Sequence, residues 1–182
     1  MELDLENYSY EKRAPTTINQ CLNELMQGYA DADVYKELGK HFMELMADEF
    51  FLQWPLVRYK YASNLLYGYF DGRYEDNYIE GDEDLAIKIL LPMAEAGLAT
   101  AQYDVGRYYE FAKQDLDLAL EWIVRASKQE YHYAHKYLRS LWYSSFYEKL
   151  SISSQKIFFS ELTRIYDGWG LGDWAKEKLS KL

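Results

Sequence analysis

His132 and His135 stand three residues apart, and two neutral imidazoles at that spacing on a helix can share a metal ion. The surrounding sequence indicates no third ligand, and His132 falls at a helix start, where side chains face water. The single cysteine, Cys21, cannot form an intramolecular disulfide, and one thiol is too few for a thiolate zinc site. The acidic runs RYEDN and GDEDL lack the alternating oxygen ligands, central glycine and final glutamate of a calcium loop. Asp82, Glu83 and Asp84 instead suit the first turn of a helix, whose dipole favours carboxylates. There is no G-x-S-x-G, no phosphate loop and no dinucleotide fingerprint. With 30 acidic side chains, some pair will always resemble an acid and a base, so pairing carries weight only with geometry. A hydrolase using loop carboxylates would need a deep pocket and a raised carboxyl pKa. The expectation is a chain that is not an enzyme, with no catalytic residue, no metal and no cofactor.

The overall balance points elsewhere. Thirty acids against 20 bases give a formal charge of −10, which repels phosphate backbones and favours a basic protein partner. Nucleic acid is therefore not an expected ligand. The 19 tyrosines pair a large apolar ring with a hydroxyl that can stay wet, a combination suited to protein interfaces. No apolar run approaches the roughly 20 residues of a membrane helix, and the first residues lack the basic start and apolar run of a signal peptide. A soluble, cytoplasmic protein is expected, as a monomer, with Cys21 as a small buried residue in a reducing compartment.

The elements that must position any site read as helices nearly throughout. Apolar residues recur at three- and four-residue steps, only three prolines occur, and no stretch reads as a strand. A first helix follows Pro15 with Thr16 and Thr17 as caps and Ile18, Leu22, Leu25 and Met26 on one stripe. A second carries Val34, Leu38, Phe42, Leu45 and Met46 on one face, with His41 at a polar position, and Pro55 ends it. A third runs from about Leu56 to Phe70, before the long acidic loop DGRYEDNYIEGDED. Four more span 82–96, 99–111, 115–129 and 131–147, with Gly97 as a left-handed stop after the first of them. After EKLSISS an eighth reaches Tyr166, and a ninth closes the chain with Asp173 as its cap. The expected fold is all-α, one domain over 1–182, with N-terminal helices over 15–70 and C-terminal capping helices over 152–182.

Residues 84–101 and 117–134 echo one another at a constant offset. Ala86 and Ala119 lie 33 apart, as do Ala101 and Ala134. On one helix Ala101, Val105, Gly106 and Tyr109 occur; on the next come Asp115, Leu118, Ala119 and Trp122, then Arg125, Ala126 and Ser127. This pattern resembles the Sel-one-like repeat, a relative of the tetratricopeptide repeat. A preceding unit reads Ala62, Leu66 and Phe70, then Asp82, Leu85, Ala86 and Ile89, and a third begins at Ala134, Leu138 and Trp142. The resemblance covers residues 62–142. Tyr67 and Arg139 replace family glycines, and Glu130 replaces the turn glycine. The small residues mark where helix axes approach to about 8 to 10 Å, while Tyr109 and Trp122 fill the space between layers.

The resemblance implies an α-α superhelix, a short solenoid whose concave face grips another polypeptide. Counted from the repeat alanines, that face would present Tyr103, Arg107 and Glu110, then Lys136, Ser140 and Tyr143, with Asn64, Gly68 and Asp71 in the preceding unit. Asp82 and Glu83 add acid to the adjoining helix start. Size, acidity, tyrosine content and known roles of proteins similar to this family point to an immunity protein that occludes a basic bacterial toxin, a nuclease foremost. The alternative is a general adaptor for peptides in a signalling or secretion complex.

Overall fold

The computed structural model describes residues 43, 44, 46–48, 52, 53, 55–68 and 81–182, as two compact units divided between Ala96 and Gly97. Expectations for the Pro15 helix, Cys21, His41 and Asp71 lie outside the described residues, as does most of the second helix. Every regular element among the described residues is helical.

In the first unit, α1 (Pro55–Tyr67) packs against α2 (Glu83–Glu95). Pro55 opens α1, where a missing N–H leaves no helical bond unmade. The N–H of Asp82 donates to the carbonyl of Leu65 at 3.1 Å, fixing the entry of α2 beside the end of α1. Gly81 permits this approach, because a Cβ there would sit 3.0 Å from that same carbonyl oxygen. Ala86, Leu90, Met93 and Ala94 form the buried side of α2. Pro92 lies inside α2, so the N–H that would bond to the carbonyl of Lys88 is missing; its position on the exposed side spares the packed face.

The second unit contains α3 (Ala99–Tyr108), a π-helical turn (Tyr109–Lys113), α4 (Leu116–Ser127), α5 (His132–Tyr143), a 3-10 turn (Phe146–Lys149), α6 (Ile152–Ile165) and α7 (Gly170–Leu179). Helix α4 is central, touching α3, α5 and α6. A Cβ at Gly106 would stand 2.8 Å from Ile123 Cδ1 and 3.0 Å from the Ala119 carbonyl, so α3 meets α4 at a distance only glycine allows. Leu120, Ile123, Leu138, Phe158, Phe159 and Leu162 form a continuous core. Tyr147 stacks on Phe158 at 5.6 Å, and Trp174 meets Phe159 and Tyr147 edge-on at 5.5 and 5.6 Å. The Ser151 hydroxyl caps α6, and the backbone N–H of Ser151 donates to Asp117 of α4 at 3.0 Å.

The offset of 33 governs local geometry as well as letters. Asp82 and Asp115 each accept the N–H three residues on, from Leu85 at 2.9 Å and Leu118 at 3.0 Å. Ala86 and Ala119 are buried, as are Leu90 and Ile123, and Ala101 and Ala134. Gly97 and Glu130 both adopt left-handed backbone, with φ of 99° and 60°. Leu98 and Tyr131, which follow them, share ψ of 110°.

Several boundaries differ from expectation. Seven α-helices lie among the described residues, and the other two of the expected nine fall mostly outside them. The α-helical part of 99–111 ends at Tyr108, where the hydrogen-bond register widens into the π turn and Gln114 closes it at φ 55°. The 131–147 helix stops at Tyr143 because Ser145 turns left-handed. Asp173 is not the cap of α7: that helix begins earlier, at Gly170, after the left-handed Gly168, and Asp173 lies within its first turn. Trp122 is buried between helices as its spacing requires, whereas Tyr109 sits half-buried in the π turn.

Candidate functional site

Tyrosines gather where α3 faces α5. The ring of Tyr103 lies 5.6 Å from Tyr131, 6.3 Å from Tyr133 and 6.4 Å from Tyr137, edge-on or tilted in each case. Tyr137 is buried, Tyr103 and Tyr131 are half-buried, and Tyr133 is 56% exposed, so the cluster passes from core to surface. Burial pushes the Tyr131 phenol up to about 12 and raises Tyr103 and Tyr137 as well. These hydroxyls are therefore neutral donors at physiological pH, suited to hydrogen bonding and not to nucleophilic attack.

Arg107 is held within this cluster by rings. Its guanidinium lies 4.5 Å from the centre of Phe111 and 5.4 Å from Tyr137, and Glu110 Oε2 approaches its Nε at 3.3 Å. The ion pair is not aligned as a hydrogen bond, so both of those buried atoms lack a hydrogen-bond partner. The π turn gives Phe111 its place: α3 widens directly after Arg107, and Phe111 emerges 63% exposed above the guanidinium. On α5, Lys136 extends over Tyr133 with Nζ 5.7 Å from the ring centre.

The structure thus brings together Tyr103, Arg107, Glu110 and Lys136 from the expected set. Tyr143 is also on α5, 72% exposed, with its ring 4.3 Å from Trp142. Ser140 is exposed, with its hydroxyl donating to the Tyr137 carbonyl of its own helix at 2.7 Å. Asn64 does not face a groove: it is 3% exposed, with its amide directed at Met43 Sδ at 3.6 Å, because α1 turns that position into the core. Gly68 ends α1 at φ 65°. Asp82 and Glu83 belong to the first unit, beside an open depression of about 500 Å³ also lined by Tyr61, Leu65 and Asp84.

Sequence reasoning missed Tyr131, Tyr133, Tyr137 and Phe111. Tyr133 and Tyr137 had a legible signal, since they are four residues apart and share a helix face. It also missed a polar clamp. Arg164 of α6 donates to Glu161 at 2.8 Å, to the Ser127 carbonyl at the end of α4 at 2.9 Å and to Glu130 at 2.6 Å. The buried Glu161 carboxylate also accepts the Ser127 hydroxyl. His135 Nε2 lies 3.1 Å from the Ser127 carbonyl, so this imidazole is engaged at a helix end.

Charge is divided between the units. Residues 97–182 carry 12 Lys or Arg against 11 Asp or Glu, a balance of +1, so residues 1–96, with 8 against 19, hold −11. The tyrosine face lies in the balanced half. No known protein family, characterised protein or solved structure matches the chain. Among the described residues no helix is long and apolar enough to cross a membrane, and no group of three metal-ligating side chains converges.

Proposed function

We propose that this chain is a protein-binding module built from Sel-one-like helix pairs, and that the tyrosine face of α3 and α5 is its contact surface. The observation that carries this reading is the pair of exposed aromatics Phe111 and Tyr133 against Arg107 and Lys136, with Tyr143 exposed further along α5. Tyrosine and arginine dominate the energetics of protein interfaces: tyrosine buries a large area with little loss of freedom, and both keep a polar end for the partner. The shared geometry of residues 82–101 and 115–134 supports the repeat reading, and with it a superhelical stacking of pairs.

The most specific form is an intracellular immunity protein that neutralises a basic toxin, a nuclease foremost. Its support is the −11 balance of residues 1–96, which includes Asp82, Glu83 and Asp84 at the exposed start of α2. The second form is an adaptor for peptides. The near-neutral second unit favours it, since the aromatic face itself does not carry the acidity that a basic toxin would seek.

Co-expression with the product of the neighbouring gene, which the immunity form requires to be a toxin, separates the two. An immunity protein restores growth, and Tyr133→Ala with Tyr143→Ala weakens the complex about tenfold or more while leaving the melting midpoint unchanged, because both side chains are exposed. Growth arrest despite soluble expression of the chain removes the immunity form. Unchanged affinity in the double variant removes the face.

A further inference from the structure

The most exposed charges on the tyrosine face are cationic. Its carboxylates are sunk: Asp104 is 4% exposed, and the Glu110 side chain 14% exposed. Its cations reach further out: the Arg107 side chain is 28% exposed and lies between rings, and Lys136 is exposed over Tyr133. A partner therefore meets ammonium and guanidinium groups framed by phenol rings, on a molecule whose total charge is −10.

From this arrangement we propose that the face formed by Tyr103, Arg107, Phe111, Tyr133 and Lys136 docks an acidic, extended segment of a partner protein. The proposal rests on the protein-binding reading and names the partner chemistry for that face. An Asp or Glu side chain meets Lys136 and Arg107 through charge-assisted hydrogen bonds, while neighbouring aliphatic or proline residues lie on Phe111 and Tyr133. A nucleic acid fits less well. Its backbone presents a charge every few ångströms, whereas this face offers two cations beside one buried and one half-buried carboxylate, and the chain as a whole repels polyanions.

Selection of a random twelve-residue peptide library on the full chain tests this. The retained pool is enriched in Asp and Glu, and its members lose on the order of tenfold in affinity against Lys136→Glu, a change at an exposed position that leaves the melting midpoint in place. Affinity also falls as salt is raised from about 50 to about 300 mM. A pool that is neutral or basic yet still sensitive to Lys136→Glu overturns the acidic assignment and leaves protein binding standing. An empty pool overturns both, as does an oligonucleotide that binds at this face more tightly than any selected peptide. Acidic peptides that ignore Lys136→Glu overturn the location.

Discussion

The turn after α2 and the turn after α4 reach the same backbone shape by different means. Gly97 takes φ of 99° with no Cβ to strain, whereas Glu130, 33 residues later, holds φ of 60° with a full side chain. Left-handed backbone costs a non-glycine residue roughly 1 kcal/mol. At Glu130 that cost is offset by what the side chain does, since its carboxylate accepts from Arg164 at 2.6 Å and lies 3.8 Å from His135 Nε2. The lesson is that the helix pair fixes the turn conformation, and the residue occupying it is free to vary once another element shares the load.

The comparison is broken most strongly by Arg164→Ala. Glu161, 4% exposed, would keep only the Ser127 hydroxyl, and the turn at Glu130 would lose its brace. Urea denaturation should show a loss of about 2 to 4 kcal/mol; a loss under about 1 kcal/mol would mean that the clamp is ornamental. Next in size is Gly97→Ala, which forces a Cβ into left-handed backbone with no compensating ion pair, at about 1 to 2 kcal/mol by the same measurement. The smallest change, Glu130→Gln, sharpens the contrast by removing charge alone. The hydrogen bond from Arg164 holds the Glu130 carboxyl below its ordinary value of 4.5. A depressed folded pKa contributes stability above the unfolded pKa and loses it as pH falls through the folded one. The gap in denaturation midpoint between the native chain and Glu130→Gln should therefore be present at pH 7 and shrink as pH falls below the ordinary carboxyl value of 4.5.

Much of the helical frame was legible because it depends on spacing. Alanines at fixed intervals mark where axes close in, and Ala86, Ala101, Ala119 and Ala134 are all buried. The same register put Tyr103, Arg107 and Lys136 on one face, and the structure places them around shared rings, yet it sent Asn64 outward when α1 buries it. What escaped depends on partners remote in sequence or on small shifts of register. The π turn widens the hydrogen-bond ladder by one residue, which leaves no trace in composition. Arg164 reads as an ordinary surface cation until α6 lies against the end of α4. The charge division lies in the sequence once the boundary after Ala96 is known, and it sets the acidity of residues 1–96 apart from the aromatic face proposed as the contact surface.

The clamp also imposes an order on biogenesis. Arg164 comes 37 residues after Ser127, so a nascent chain that has emerged only through the 3-10 turn possesses α4, α5 and the strained Glu130 without the cation that secures them. The second unit can be locked only after α6 is synthesised, and any product cut short before that point carries the strain without the Arg164 bonds that offset it.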